Sequence, residues 1–256
     1  MKFWWNETDE NEMGLLLTEL INQLRDDHMS RHTLNLDMLR MYTQRDYDGM
    51  GRVDSSNNVS GEDYRMRMNV IGNITDTLVS RIGKNRPKPM YLTKRGDYKL
   101  RQNAKRLTDV MEGIFYQTGI YDVMPKIFQD SCIFDMACMK IGREGSELFV
   151  ERVFPNEMLW DQNASMYSDM PPCMHQVKSI PLETLILQFP EREEELRYSA
   201  ATDDKMSSEE GHEAEMVECV ESWHLPSTND AEDGRHVIHM DTVILVDEEY
   251  TYTSYP

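Results

Sequence analysis

The chain has 256 residues, of which 46 are Asp or Glu and 27 are Lys or Arg, so its formal net charge is −19. A chain of this length can enclose one large or two small domains with a sizeable core. Its acidity argues against a protein that binds nucleic acid over most of its surface. We expect neither a signal peptide nor a membrane span, because Met1–Trp5 is followed at once by polar residues and no apolar run is long enough to cross a bilayer.

The charges are unevenly distributed along the chain. Residues 81–106 contain ten Lys or Arg and one acidic residue, whereas residues 144–256 contain 26 acidic and six basic residues. The basic segment is the candidate for phosphate contact, but only Tyr91 and Tyr98 supply rings that could stack on bases. We favour the alternative that its side chains form a solvated helix face, which pairs with acidic surfaces of the same or a neighbouring chain.

Cysteine usage indicates the compartment. The four cysteines are scattered and form no close Cys-x-x-Cys pair; they are Cys132, Cys138, Cys173 and Cys219. This pattern is typical of reduced, mostly buried thiols, so we expect a protein that folds in a reducing cytoplasm.

Residues 1–60 are predicted to form an N-terminal helical segment. The aromatic cluster Phe3-Trp4-Trp5 is predicted to pack on its own domain, with an anchor in a partner subunit as the alternative. Apolar residues at helical spacing from Leu15 to Leu24 predict an amphipathic helix, and a second apolar stripe follows Thr33. Residues 49–61 are rich in Gly, Ser, Asn and Asp and predict a loop.

Three amphipathic helices are predicted next. The first begins at a capping box over residues 60–63 and ends at Gly83; its apolar positions are Met66, Val70, Ile74, Leu78 and Ile82. The second begins near Asp97 and ends at Gly119; its apolar positions are Leu100, Ala104, Leu107, Met111 and Ile114. The third covers residues 120–132. These stripes predict a packed helical body over residues 66–135, in which Leu107 and Ile114 are buried.

Short strands follow the helices. They are predicted over residues 139–141, 148–154, 174–180, 216–225, 237–240 and 243–246. Two further helices are predicted between Pro181 and Pro190 and over residues 191–198, and the acidic residues 202–214 are predicted to be mobile. The sequence thus predicts an α+β protein, with several packed helices followed by small antiparallel β elements. We divide it into residues 1–60, a helical core with a hairpin at 61–161, and an acidic β-rich part at 162–256.

Two clusters could carry chemistry. His236-x-x-His239-x-Asp241, with Asp233 nearby, has the ligand spacing of some zinc sites, but strand alternation sends the two histidines to opposite faces. Cys173 and His175 could be a nucleophile and its base. Their position on a predicted strand, without a glycine-rich turn or an orienting acid, favours a structural role. We therefore predict no catalytic, cofactor-binding or metal-binding residue, and no enzyme.

The order of several short motifs resembles the portal proteins of tailed bacteriophages, most closely those of short-tailed phages. Arg86-Pro87-Lys88-Pro89 follows the first helix, and Phe154-Pro155-Asn156-Glu157-Met158-Leu159-Trp160-Asp161 follows the hairpin. The likeness continues through residues 174–181, Phe189-Pro190 and residues 217–223, and it covers roughly residues 64–247. The resemblance implies the wing of a portal subunit.

A portal subunit belongs to a ring, dodecameric in the family, at one vertex of the capsid. The resemblance therefore implies a virion protein that assembles in the host cytoplasm. Its implied partners are further copies of itself, major capsid and scaffolding proteins, terminase, tail adaptor proteins and the double-stranded DNA that is packaged and ejected through the channel. It implies no cofactor and no membrane.

The strand set is followed by Thr251-Tyr252-Thr253-Ser254-Tyr255-Pro256, without the stem and clip of the family. We therefore expect an N-terminal portion of a portal, with stem and clip in a longer product or on a second chain. Two hypotheses from other classes stay open. One is a metal-dependent nuclease or hydrolase that uses His236, His239 and Asp241, and the other is an acidic inhibitor that mimics DNA.

Overall fold

The computed structural model describes residues 3–43, 69–93, 97–145, 147–166, 170–202, 215–228 and 231–256. They form helices and two antiparallel sheets, which confirms the predicted α+β class. Contacts divide the chain into two compact units: unit 1 is Met1–Ser30 with Asn156–Tyr255, and unit 2 is Arg31–Pro155 with Pro256.

Some predictions lie outside the described residues. These are the loop over residues 49–61, the capping box over residues 60–63, the apolar position Met66 and residues 203–214 of the predicted mobile segment. The division at residues 60 and 161 stays a prediction, because its first boundary falls in the same gap.

Helix α1 spans Glu10–Thr43 as one continuous helix, where the sequence predicted a helix followed by a separate apolar stripe. Asp9 starts it, because its Oδ1 accepts hydrogen bonds from the backbone N–H groups of Asn11 and Glu12 at 2.9 and 3.2 Å. After Gly14 the helix contains no Gly or Pro, the residues that most disfavour a helix interior, so its polar middle continues the helix.

Among its described residues, unit 2 contains three further helices and one hairpin: α2 (Val70–Gly83), α3 (Tyr98–Gln117), α4 (Ile120–Phe134), β1 (Cys138–Glu144) and β2 (Glu147–Val153). Local chemistry sets the helix ends. Asn69 caps α2 by accepting a hydrogen bond from the N–H of Gly72 at 2.7 Å. Gly119 separates α3 from α4 in the left-handed conformation, at a φ of 64°.

Polar side chains join the elements of unit 2. The hydroxyl of Tyr42 donates to Oδ1 of Asp76 at 2.7 Å and accepts from Nε2 of Gln129 at 2.6 Å. These bonds connect the end of α1 with α2 and α4. The guanidinium of Arg152 on β2 donates to both carboxylate oxygens of Asp130 on α4, so the hairpin is fixed to the helix by a two-pronged ion pair.

The predicted burial of the helix faces in unit 2 is wrong. Leu107 is 48% exposed and Ile114 is only partly buried, and no residue of α3 is fully buried. The apolar face of α2 is also exposed; its residues are Ile71, Ile74, Leu78 and Ile82. Periodicity located the second and third of these helices correctly, whereas α2 begins at Val70 after the cap Asn69 and not at residues 60–63. Periodicity also does not determine what covers an apolar face. Within the described residues of one chain, these two faces stay exposed.

Unit 1 is built on five antiparallel strands: β3 (Met158–Leu159), β4 (Cys173–Pro181), β5 (Met216–His224), β6 (Arg235–Met240) and β7 (Val243–Glu249). They are hydrogen-bonded in sequence order. In the part of Asn156–Tyr255 that the structure describes, three helices accompany them: α5 (Gln162–Ser165), α6 (Leu182–Gln188) and α7 (Glu193–Thr202).

Both faces of this sheet carry a core. The start of α1 packs on one face, where the buried residues are Trp4, Met13, Leu17, Ile21, Leu24, Leu159, Val220, Val237 and Ile244. Helices α6 and α7 pack on the other face, where the buried residues are Leu182, Leu185, Ile186, Leu196, Ala200, Val217, Cys219 and Met240. Gly14 lets α1 approach the turn between β6 and β7, since a Cβ there would lie 2.2 Å from the carbonyl oxygen of Thr242.

Candidate functional site

The histidines of the metal hypothesis lie on opposite faces of the sheet in unit 1. His236 stacks on Trp223 with ring centroids 5.8 Å apart, and its Nε2 lies 3.0 Å from a carboxylate oxygen of Glu221. His239 is buried on the face that carries α1, and its Nδ1–H donates to the backbone oxygen of Asp241 at 2.9 Å. Among the described residues, no group of three or more His, Cys, Asp or Glu side chains is placed to hold a metal ion.

Asp241 and Asp233, the other two residues of that hypothesis, serve turns. Asp241 has a left-handed φ of 49° after β6, and its carboxylate accepts from Oγ of Ser199 at 3.3 Å. Asp233 accepts hydrogen bonds from the backbone N–H and the hydroxyl of Ser227. These bonds lower the pKa of the Asp233 carboxyl. Asp233 therefore stabilises the backbone of its turn, and the carboxylate of Asp241 contacts Ser199 on α7.

Cys173 and His175 lie in the same region of unit 1, but their chemistry does not suit a nucleophile and its base. Burial raises the pKa of the Cys173 thiol to about 12, and a nucleophilic cysteine needs the opposite shift. Burial lowers the pKa of His175 to about 3, and its Nδ1 is hydrogen-bonded to Oγ of Ser222 at 2.8 Å. The pair holds a protonated thiol and a neutral imidazole.

The aromatic cluster at the N-terminus packs on its own unit. Trp4 is buried, Trp5 stacks on His224 with ring centroids 4.2 Å apart, and Phe3 stacks on Trp5. Arg235 fixes the segment, because its Nη1 donates to the backbone oxygens of Trp4, Trp5 and Glu7. These contacts place the cluster in the fold of unit 1.

Unit 2 exposes a basic segment that is not a loose linker. The described residues from 84 to 93 are exposed except for the half-buried Pro89. Lys88 Nζ lies 2.6 Å from a carboxylate oxygen of Glu112, the N–H of Tyr91 donates to Oγ1 of Thr108, and the hydroxyl of Tyr121 donates to the oxygen of Pro87. The segment is thereby held against α3 and the start of α4.

The N-terminal part of α3 combines apolar and basic side chains on its surface. Leu100 and Leu107 are 55% and 48% exposed. Four exposed basic residues lie beside them: Lys99, Arg101, Lys105 and Arg106. We call residues 84–93 together with residues 97–107 the basic arm.

Unit 1 exposes an acidic surface at α6 and α7. Leu187 and Tyr198 are 81% and 77% exposed, the highest values among the large apolar side chains of this region. The carboxylates around them are Glu183, Glu191, Glu193, Glu194 and Glu195, against two basic residues, Arg192 and Arg197. We call this set of residues the acidic face.

The described residues thus define a class of protein: an α+β chain with exposed apolar helix faces and opposite charges on separate surfaces. The family model for phage P22-like portal proteins matches residues 51–250. The chain belongs to the P22-like phage portal protein family, which confirms the resemblance seen in the sequence. A search of curated proteins finds no match.

Membership assigns a general role. The family is structural, its members belong to the portal vertex of the phage capsid, and they act in association with other capsid-associated subunits. Among the described residues, no helix is both long and apolar enough to span a bilayer.

Two features of the structure were not predicted from the sequence. The first is the ion pair of Asp130 and Arg152; its signal was an acidic residue within the apolar stripe of α4. The second is the exposure of Leu187 and Tyr198, since their spacing fits a buried helix face equally well. A charged residue within an apolar stripe can be recognised in a sequence, whereas the solvent exposure of an apolar residue cannot.

Proposed function

We propose that this chain is a subunit of a ring, dodecameric as in related portals, through which viral DNA is packaged and later ejected. The observation that carries the proposal is the uncovered apolar face of α2 in a chain of the portal family. Ile71, Ile74 and Leu78 are each about half exposed. A soluble chain that kept such a stripe exposed would associate with other molecules, and a neighbouring subunit covers it.

The partners follow from this role. The ring meets major capsid and scaffolding proteins during shell assembly in the host cytoplasm, terminase during packaging and tail adaptor proteins afterwards. Double-stranded DNA passes through its channel. The charge of −19 suits a passage for DNA, because phosphates bind strongly only where many Lys and Arg side chains displace counterions.

We propose that no residue of this chain is catalytic and that it needs no cofactor. The support is chemical: a thiol with a raised pKa at Cys173 and two strand histidines, His236 and His239, on opposite faces. The family is structural as well. Incubation of the pure protein with DNA, nucleoside triphosphates and divalent metals should give no turnover. Hydrolysis that is lost in His239→Ala would contradict this.

The size and shape of the purified full chain test the ring. Negative-stain microscopy with native mass spectrometry should show a ring with a central opening. A compact monomer that binds zinc would instead support the metal-dependent hydrolase. A monomer that captures a nuclease or polymerase would support the DNA mimic. Ile74→Asp, at a position that is 57% exposed, should leave the monomer folded and reduce assembly.

A further inference from the structure

We propose that the basic arm of one copy docks on the acidic face of a second copy. This contact rests on the proposed ring and specifies how neighbouring subunits recognise each other. Each chain carries both surfaces, the arm in unit 2 and the face in unit 1.

The arm has the properties of a preformed docking element. Three contacts fasten its extended part: Lys88 to Glu112, Tyr91 to Thr108 and Tyr121 to Pro87. The guanidinium of Arg86 also lies 5.5 Å from the ring centroid of Tyr121. An ordered element loses less conformational entropy on binding than a loose linker would.

The composition of the arm suits a protein partner better than DNA. Exposed apolar side chains accompany its charges: Met90 is 75% exposed, Leu92 is 85% exposed and Leu100 is 55% exposed. Phosphate contacts make no use of such side chains, whereas a protein surface can bury them while its carboxylates pair with the Lys and Arg. The arm thus consists of an extended segment and the start of α3, and both expose apolar side chains among basic ones.

The acidic face has the matching composition. Glu191, Glu195 and Tyr198 recur at steps of four and three, so they share one side of the short helical run that includes α7. Leu187 adds an apolar side chain that is 81% exposed. Arginine or lysine from the arm can pair with the carboxylates and lie over the ring of Tyr198, while Leu100 and Leu107 contact Leu187.

Two different surfaces on each chain give the contact a direction. When the arm of one copy binds the face of the next, the pair still offers one free face, on the first copy, and one free arm, on the second. Such head-to-tail contacts produce rings when the rotation closes, whereas a contact between identical surfaces stops at a dimer. The separation of charge along this sequence is therefore what a ring-forming chain needs.

A charge-swap experiment on the full chain tests the contact. The arm variant is Lys99→Glu with Arg101→Glu and Lys105→Glu, the face variant is Glu191→Lys with Glu194→Lys, and a third protein combines both sets. Sedimentation measures self-association, and negative-stain microscopy reports rings separately. We expect each single set to weaken self-association at least about tenfold at low salt, and the combined protein to recover most of it.

Control variants reverse charges outside the two surfaces. Lys126→Glu lies on α4 outside the arm, and Glu248→Lys with Glu249→Lys lies on β7 outside the face; all three positions are exposed. Both controls should associate like the original protein. Circular dichroism melting verifies that every variant is folded.

The outcomes separate this inference from the proposed function. Recovery in the combined protein supports the contact. Rings that persist in both single sets, or a combined protein that fails to recover, overturn the contact and leave the ring standing. If the arm variant associates normally but binds DNA more weakly in a mobility-shift assay, the arm binds DNA and the contact is overturned. Association that follows the charge swap without any ring supports the contact and refutes the ring.

Discussion

Asp130 on α4 and Arg152 on β2 form a two-pronged ion pair whose carboxylate is 1% exposed. Arg152 also lies over the ring of Phe154, with 4.4 Å between its guanidinium carbon and the ring centroid. A buried charge is tolerated because its partner and its hydrogen bonds replace water. The hairpin of unit 2 is thus oriented on α4 by an ion pair that needs both residues.

Removal of one member of this pair should be strongly destabilising. We expect Arg152→Met to cost about 3–5 kcal/mol, because it leaves the Asp130 carboxylate buried without its main partner. Urea unfolding measures the effect. Asp37→Ala is the control, since its ion pair with Arg40 is exposed on both sides and should be worth less than about 1 kcal/mol. Equal losses of stability in the two variants would show that the buried ion pair contributes no more than the exposed one.

Gly14 should not tolerate a side chain. We expect Gly14→Ala to cost about 1–3 kcal/mol, because its Cβ would lie 2.2 Å from a backbone oxygen of Thr242, which cannot rotate away. Gly113→Ala on α3 is the matched control, since a Cβ there has no heavy atom within 4 Å. That change should stabilise the helix by about 0.5–1 kcal/mol. The prediction fails if thermal unfolding shows the same sign for both.

The free energy of unfolding should decrease in mild acid. Burial lowers the pKa of His175 to about 3 and also lowers the pKa of His239. In the unfolded chain both titrate near pH 6.5, so below that pH the unfolded state binds more protons and is favoured. Stability is fully present above about pH 6.5, and each histidine removes about 1.4 kcal/mol per pH unit below it, until its folded pKa is reached.

Urea unfolding between about pH 7.5 and 4.5 measures this dependence. His175→Gln should lower stability at neutral pH but flatten the decrease in acid, because one of the buried histidines with a lowered pKa is gone. The carboxyl of Asp233, whose pKa is lowered, contributes a loss only below its ordinary value of 3.8, outside this window. A slope that stays unchanged in the variant would assign the acid sensitivity to other groups.

Leu107 should matter for assembly and little for the monomer. It is 48% exposed, so we expect Leu107→Ala to cost the dissociated monomer less than about 1 kcal/mol. Leu17→Ala, at a fully buried position on α1, should cost about 2–5 kcal/mol. Among molecules that remain folded, Leu107→Ala should weaken self-association more than Leu17→Ala does. A large monomer loss at Leu107 would show that the face is covered within the chain.

Local patterns in the sequence predicted most helices and strands. Gly119 and Asp97 mark helix ends through backbone geometry and capping, which depend on a few neighbouring residues. The continuity of α1 was missed, because an apolar stripe reports which side is covered and not whether the helix continues between two stripes. The class of the fold followed from the order of these elements.

The positions of the chemical groups were harder to predict. Strand alternation correctly separated His236 from His239, because a period of two is fixed by the backbone. The burial of His175 could not be seen, since it depends on α1 lying over β4, and these two elements are far apart in sequence. The exposed faces of α2 and α3 were missed for a related reason, because the periodicity of a helix does not show whether its apolar face is covered within the chain.

The two outer strands of the five-stranded sheet limit its pairing with strands of other molecules. In the described residues β3 offers only Met158 and Leu159, and β7 ends in Asp247-Glu248-Glu249. A very short strand and a charged one are poor templates for pairing with a strand of another molecule. Copies of this chain that lie side by side are therefore unlike fibre-forming proteins, because their sheets do not readily join. Specific contacts between side chains, rather than backbone pairing, then decide which copies stay together.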